Sequence, residues 1–415
     1  MNNSSTSRVL SLDFVRGIAM ILMAIDHVRV YSGLPAGGPT PGIFFTRWIT
    51  HFVAPAFVFL AGTSIFLHGR KLPNRAALSK FLLVRGVWLI LLELTVLRIA
   101  WTFNFDFAHY LLAGVIWMIG WCMIIMAGLV FLPISVNATV GVAIIALHNL
   151  TGLFSGPLER AFGTDGPNWF LNLLYFGTGG ELKIGHAGPP LVILYVIVPW
   201  IGVMMAGYAF GSVMKMEPNR RRAFCLKLGA ALTVLFILLR AANLYGDPRP
   251  WRSPPPVPAV AIQTSGAPAP APQFARPAMP AALSFLNTTK YPASLLFLLM
   301  TLGPMFLVLG LAENWRGSVA QIAVTYGRVP MFYYLLHIPL IHLAACVVSL
   351  IREGHINSWL FANHPMAAGP APAGYTWSLG LLYAVYAICV ALLYFPCRWY
   401  AQLRATRKSK WLSYL

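Results

Sequence analysis

Ten stretches of about 20 mostly apolar residues divide this chain, and that spacing constrains its fold more than any other feature. An α-helix of that length crosses the hydrocarbon core of a bilayer while satisfying its own backbone hydrogen bonds. The runs cover residues 12 to 32, 48 to 68, 80 to 101, 109 to 131, 133 to 150, 190 to 212, 224 to 245, 292 to 312, 320 to 350 and 375 to 397. The ninth is long and is expected to break near Gly327 to Pro330, where glycine and proline interrupt the helical pattern. With 58% hydrophobic and only 10% charged residues, and a mean hydropathy of +0.69, the chain lies outside the range of soluble globular domains. The expected fold class is all-α: a polytopic transmembrane helical bundle with about ten spanning helices.

A net charge of +19 would suggest nucleic acid in a soluble protein. Here the basic residues cluster between apolar runs, so they read as topology signals and nucleic-acid binding is discounted. Arg70, Lys71, Arg75, Lys80 and Arg85 follow the second run; Lys215, Arg220, Arg221, Arg222 and Lys227 follow the sixth; Arg398, Arg404, Arg407, Lys408 and Lys410 close the chain. Ten spans put all three clusters on one side, with both termini cytoplasmic. The first run is too long for a signal-peptide core and is kept as the first span. Two long segments then fall outside: residues 151 to 189, and the Pro/Ala-rich stretch 247 to 282, which reads as an extended or disordered loop. Cys122, Cys225, Cys346, Cys389 and Cys397 lie in or beside apolar runs without metal-ligand spacing and read as packing residues.

Ionisable groups within the spans point to function, because lipid exposure would cost several kcal/mol and such groups usually face a bundle interior. The first span contains RGIAMILMAIDH, residues 16 to 27. Arg16 and His27 are eleven residues apart, so they share one helical stripe and lie roughly 16 Å apart along the axis. Asp13, Met20 and Met23 lie on the same stripe, whereas Asp26 points away. A plainer reading makes Asp13 and Arg16 an i,i+3 pair at the helix end. Arg47 and His51 are one turn apart at the outer end of the second span. Tyr326, Tyr333 and His337 share a stripe on the ninth, and His342 lies about 140° from His337 and reads as structural. Pro339 is expected to free a carbonyl beside the His337 imidazole. Asn287, Lys290 and Tyr291 stand at the mouth of the eighth span. Several histidines and cations with few carboxylates near one face suggest proton transfer on acidic or acyl groups. No HxxxH or HxxE pattern appears, so no metal is expected.

SLDFVRGIAMILMAIDH resembles the first helix of integral-membrane acyltransferases, whose arginine, ten residues and histidine pattern is met by Arg16 and His27. TRWITHFVAPAFVFLAGTS, FLNTTKYPASLLFLLMTLGP and YGRVPMFYYLLHIPLIH resemble the bacterial members of the heparan-alpha-glucosaminide N-acetyltransferase family. The four motifs keep one order, and the resemblance runs from about residue 8 to 397, so residues 1–415 are read as a single acyltransferase-like domain in a bacterial inner membrane. It implies transfer of an acyl group, acetyl when the co-substrate is acetyl-CoA, from the cytoplasm across the membrane to a hydroxyl or amine of a sugar-like acceptor, a glycan or another small molecule. His27 is then the first catalytic candidate, His51 the second and His337 the third, with Asp26 or a backbone carbonyl orienting the imidazole and Lys290, Asn287 or a tyrosine stabilising the oxyanion. Arg16, Arg75, Arg85 and Tyr333 become the candidate acyl-CoA contacts. One departure is plain: the eukaryotic heparan enzymes carry their active histidine in the loop after the first helix, and residues 31 to 46 contain none.

Direct transfer and an acetyl-histidine intermediate both fit this pattern, and a homo-oligomer stays open. Two other classes compete. A proton-coupled transporter or lipid-linked sugar flippase would use the histidines as a relay, although no inverted repeat is evident. A binding scaffold without catalysis would be favoured by a lipid-facing His27.

Overall fold

The computed structural model describes residues 9–38, 40–153, 168–183, 188–252, 279–315, 317–366 and 370–407. Every apolar run holds a helix: α1 (Leu10–Ser32), α2 (Pro41–Trp48) leading into α3 (Val53–Gly69), α4 (Arg75–Leu92), α5 (Arg98–Thr102), α6 (Val115–Leu129), α7 (Ile134–Leu147), α8 (Val198–Phe210), α9 (Pro218–Ala242), α10 (Ala281–Leu286), α11 (Leu295–Ala312), α12 (Ser318–Arg328), α13 (Pro330–Glu353) and α14 (Leu379–Thr406). Among the described residues six helical segments are long and apolar enough to cross a membrane: Pro41–Gly69, Ile134–Gly152, Pro218–Ala242, Leu295–Ala312, Pro330–Glu353 and Leu379–Thr406. The protein is a predominantly helical membrane bundle.

Local chemistry sets the helix ends. Thr40, Asn74, Ser294 and Ser378 accept hydrogen bonds from backbone N–H groups in the first turns of α2, α4, α11 and α14. Gly33 and Gly354, both in the left-handed region, close α1 and α13. The ninth run breaks where its sequence suggests: α12 ends at Arg328, and Pro330 occupies the first turn of α13, where its missing N–H costs nothing.

Helix α1 is the centre of the bundle, packing against α3, α11, α12, α13 and α14. Its crossing with α12 depends on two glycines. A Cβ on Gly17 would lie 1.7 Å from the Ala323 carbonyl oxygen, and one on Gly327 would lie 1.7 Å from that of Asp13. Small residues allow such close backbone approach between membrane helices. Gly327→Ala is therefore expected to separate α1 from α12 at a cost of about 1–3 kcal/mol or more, measured as a lower thermal midpoint in detergent. An unchanged midpoint would refute this close crossing. Near the same end, Glu313 accepts from Arg221 Nε at 2.8 Å and Nη2 at 2.5 Å, and from Ser11 Oγ at 2.5 Å. That ion pair ties the starts of α1 and α9 to the end of α11.

The opposite end departs from the expected spans. The fourth and sixth apolar runs begin at residues 109 and 190, yet α6 and α8 start at Val115 and Val198. The residues before them form strands β1 (Leu111–Ala113) and β3 (Pro190–Ile193), paired in parallel, with β2 (Glu181–Lys183) antiparallel on the other side of β3. Short apolar runs such as LLA and PLVI carry no period that separates strand from helix. Most of the Pro/Ala-rich segment, residues 253 to 278, lies outside the described residues. Its first residues fold back on the bundle: Trp251 Nε1 donates to the Arg240 carbonyl at 2.7 Å.

Candidate functional site

Three cavities adjoin one another through the bundle. The first, about 380 Å³, lies at the end carrying the basic loops and is lined by Arg16, Ser64, His68, Arg85, Arg328, Tyr334 and Arg404, with apolar walls that include Phe57 and Val115. The second, about 40 Å³, shares Phe57 and Val115 and adds Asp26, His27, Thr50, Tyr195 and Lys290. The third, about 440 Å³, shares Lys290 and is lined by Arg47, Trp48, His51, Arg249, Asn287 and Tyr291. The shared residues put the three cavities next to one another, with the small one, lined by His27, touching both larger ones.

His27 meets a second histidine there. Its Nδ1 lies 2.6 Å from His337 Nε2, while His337 Nδ1 lies 2.7 Å from the Tyr334 carbonyl oxygen and 3.3 Å from that of Tyr333. A carbonyl only accepts, so His337 Nδ1 carries its hydrogen, and in the neutral ring Nε2 is then the acceptor. His27 Nδ1 must donate to it. These partners assign the tautomer and leave His27 Nε2 with a free lone pair. The ring is fixed further by Trp101, edge-on with centroids 4.9 Å apart, and Tyr333 stacks on His337 at 5.4 Å. The carbonyl that orients His337 belongs chiefly to Tyr334; the one that Pro339 deprives of its helical donor is that of Leu335, four residues before the proline.

Asp26 does not orient His27. Its carboxylate accepts from Arg29 Nε at 2.9 Å and from Arg47 Nη1 in a short contact. The reason is rotation: adjacent residues on a helix are about 100° apart. Asp26 instead pins α2 to α1, and Arg47 continues to the Tyr291 hydroxyl at 3.3 Å. Lys290 is held by its own loop. Asp247 accepts from Thr289 N at 2.7 Å, Thr289 Oγ1 at 2.9 Å and Ser294 Oγ at 2.8 Å. Arg240 donates to the carbonyls of Phe285, Ser284 and Asn287 at 3.0 to 3.1 Å. Buried charges thus stiffen the segment that presents the lysine.

Of the expected residues, His27 meets His337 and shares the small cavity with Asp26 and Lys290, and His51 lines the outer cavity. Arg16 lines the inner one. It also makes the plainer i,i+3 pair, with Nη1 3.1 Å from Asp13 Oδ1 and Nη2 donating to Ser64 Oγ at 3.0 Å. Arg85 lines the same cavity. Arg75 does not: it is exposed at the start of α4, where its Nη1 donates to the Phe131 carbonyl at 2.6 Å. Tyr333 is buried and outside all three cavities; its neighbour Tyr334, turned about 100° on the helix, lines the inner one instead. His342 is packed between Tyr31 and Phe103, with centroids 4.7 and 3.8 Å away, as a core histidine. Sequence reasoning missed Ser64, His68, Tyr195, Arg328, Tyr334 and Arg404. The available signal was position: Arg328 directly precedes the helix break, and Arg404 lies within the last turn of the final apolar helix. Among the described residues no three of His, Cys, Asp and Glu gather as metal ligands.

Residues 8–242 match the family model described as heparan-alpha-glucosaminide N-acetyltransferase, catalytic. That span carries Arg16, His27, His51 and Arg85; Lys290 and His337 lie beyond it. No curated protein matches the chain.

Proposed function

Because this chain belongs to the heparan-alpha-glucosaminide N-acetyltransferase catalytic family, and so to the membrane acetyltransferases, we propose that it carries an acetyl group from acetyl-CoA to a hydroxyl or amine of a sugar-like acceptor across the bilayer. The observation that carries this reading is His27, which hydrogen-bonds His337 behind it and lines a small cavity that shares wall residues with two larger ones. The basic end is cytoplasmic by the distribution of its arginines and lysines, and the motifs' likeness to bacterial relatives supports a bacterial plasma membrane. The donor then enters the inner cavity. Arg16, Arg85, Arg328 and Arg404 suit the phosphates of CoA, and the apolar wall suits the pantetheine arm. The roughly 16 Å from Arg16 to His27 along α1 supports delivery of the thioester to the imidazole.

His27 Nε2 is the general base. It takes the proton of the acceptor O–H or N–H as that atom bonds to the acetyl carbon; the C–S bond breaks, and the proton passes from His27 to the CoA sulfur. Such a base typically contributes about 10²- to 10⁴-fold. Lys290, beside His27 in the same small cavity, faces the charge that develops on the thioester oxygen. The same lone pair permits attack by His27 itself: the Nε2–acetyl bond forms as the C–S bond breaks, CoA leaves as the thiolate, and the Nδ1 proton moves to His337 Nε2, giving acetyl-imidazole before the acceptor arrives. Mass spectrometry of protein incubated with acetyl-CoA alone separates the routes, since only the second leaves an acetylated histidine. The alternative, a proton-coupled transporter or lipid-linked sugar flippase, is less well supported: the small central cavity, about 40 Å³, has roughly a tenth of the volume of each neighbour, a poor passage for a sugar.

The reading is tested by CoA. Acetyl-CoA is expected to raise the melting temperature of the detergent-purified protein by mass action, and Arg16→Ala is expected to raise KM for acetyl-CoA about tenfold with a smaller change in kcat. No stabilisation by acetyl-CoA or CoA would overturn it.

A further inference from the structure

His148 takes no part in the transfer chemistry, yet its surroundings demand a particular protonation state. It follows the last residue of α7, at the end away from the basic loops, and is 4% exposed. Its Nδ1 lies 2.9 Å from the Ile144 carbonyl oxygen and 3.1 Å from that of Ile145, and its Nε2 lies 2.8 Å from the Ala293 carbonyl oxygen. Carbonyls only accept, so both ring nitrogens need a hydrogen. A neutral imidazole has one N–H and would hold its remaining lone pair against a carbonyl oxygen; the imidazolium donates at both ends. His337 shows the neutral arrangement, with one nitrogen on a carbonyl and the other accepting. Among the described residues no carboxylate bonds the His148 ring. The groups around it are Tyr175, whose ring is edge-on at 5.9 Å, Tyr245, whose hydroxyl donates to the Ala146 carbonyl at 2.6 Å, and Asn149, whose Oδ1 accepts from Leu295 N at 2.9 Å. Asp247 engages Thr289 and Ser294 on the turn that His148 contacts, and Arg240 Nη1 lies 3.9 Å from it.

That turn presents Lys290. Lys290 and Ala293 pair across it, and Ser294 N donates to the Thr289 carbonyl at 3.0 Å. His148 and Asn149 therefore grip it at Ala293 and Leu295, while Lys290 lines the small cavity beside His27. We propose that His148 is a positioning residue for acetyl transfer: as an imidazolium it donates from Nε2 to the Ala293 carbonyl and fixes the turn that carries Lys290, and loss of one proton to water releases that hold. Nδ1 faces two carbonyls and keeps the remaining hydrogen, so the bond that is lost is the one to Ala293. A charge-assisted hydrogen bond is roughly twice as strong as a neutral one, and a neutral ring would place two lone pairs face to face at Ala293. Lys290 then loses its fixed position opposite the thioester oxygen, and turnover falls while the donor cavity, lined by other residues, is unchanged. The inference rests on the acetyltransferase reading and adds to it a control by proton concentration at the end of the bundle that holds Lys290.

The test compares the full-length protein with His148→Gln in detergent, where both ends of the bundle meet the same pH. Thermal stabilisation by CoA is measured on every sample as the control for folding and for the donor site, and His148→Asn replaces the glutamine variant if that control fails. Nitrogen NMR of protein carrying isotope-labelled histidine gives the first readout. The ring signal that disappears in the variant is expected to be that of an imidazolium, with both nitrogens protonated, at about pH 5.5. Turnover with acetyl-CoA and glucosamine gives the second. The ratio of kcat, unaltered protein over variant, is expected to be about tenfold at about pH 5.5 and to fall toward one as the pH rises to about 8.5, with KM for acetyl-CoA little changed. Protonation of His27 slows both proteins alike and cancels in that ratio. A neutral His148 ring at the acid end, or a kcat ratio that stays constant with pH, would overturn this inference alone when the CoA shift is intact. Absence of the CoA shift in the unaltered protein would overturn the acetyltransferase reading beneath it, while the NMR signal still decides the charge on His148.

Discussion

His27→Ala is expected to lower the rate of acetyl transfer by about 10²- to 10⁴-fold while leaving CoA binding intact. The imidazole has an assigned tautomer and lines the small cavity that shares wall residues with the two larger ones. Its removal deletes the base and opens space in a cavity of only about 40 Å³. The fold should survive, because the ring is partly exposed and its neighbours Trp101 and His337 keep other contacts. The measurement is thiol release at saturating acetyl-CoA and acceptor, beside a CoA titration by thermal shift. Turnover close to that of the unaltered protein would remove His27 from the chemistry. His337→Phe supplies the companion result. It leaves His27 in place without the acceptor that selects its tautomer, so a smaller fall in kcat is expected, with KM for acetyl-CoA little changed. A total loss there with activity retained in His27→Ala would exchange the two roles.

Asp26→Asn is expected to destabilise the protein by about 3–5 kcal/mol, the second large effect. One carboxylate, 18% exposed, balances two largely buried arginines, Arg29 and Arg47. Losing it leaves both guanidinium groups short of a counter-charge where water reaches them poorly, and it loosens the attachment of α2 to α1. The check is the denaturation midpoint in detergent. Substituting Arg47 by Met in the same chain should recover part of the loss, since an unpaired buried charge is worse than an apolar replacement of both partners. A variant as stable as the original but slow in turnover would instead restore Asp26 to the role its sequence position suggested, that of orienting the neighbouring histidine.

Much of the fold is legible along the chain because a bilayer accepts so few structures. Apolar length and helical period locate the helices, and Pro330 marks the break between α12 and α13. The shared stripe of Arg16 and His27 follows from helical geometry, and both residues line internal cavities. Boundaries were less accessible: β1 and β3 hide inside apolar runs because strand and buried helix look alike over three or four residues. The site was half legible. Single ionisable residues in apolar runs announce themselves, but their partners do not. Nothing near Asp26 in the chain distinguishes Arg47 from His27 as the group it meets, and nothing local says that Arg75 bonds the Phe131 carbonyl while Arg85, ten residues on, lines the inner cavity.

By itself the sequence determined that this is a membrane bundle of helices with histidines and arginines inside it, because the cost of exposing charge and backbone to lipid acts on each segment separately. Only the tertiary structure decided which of those groups meet. His27 and His337 are 310 residues apart, and the hydrogen bond between them depends on how α1 and α13 pack. The direction of the His27 lone pair depends in turn on a backbone carbonyl of α13. Contacts of that kind are set by the packing of whole helices, and no single stretch of chain encodes them.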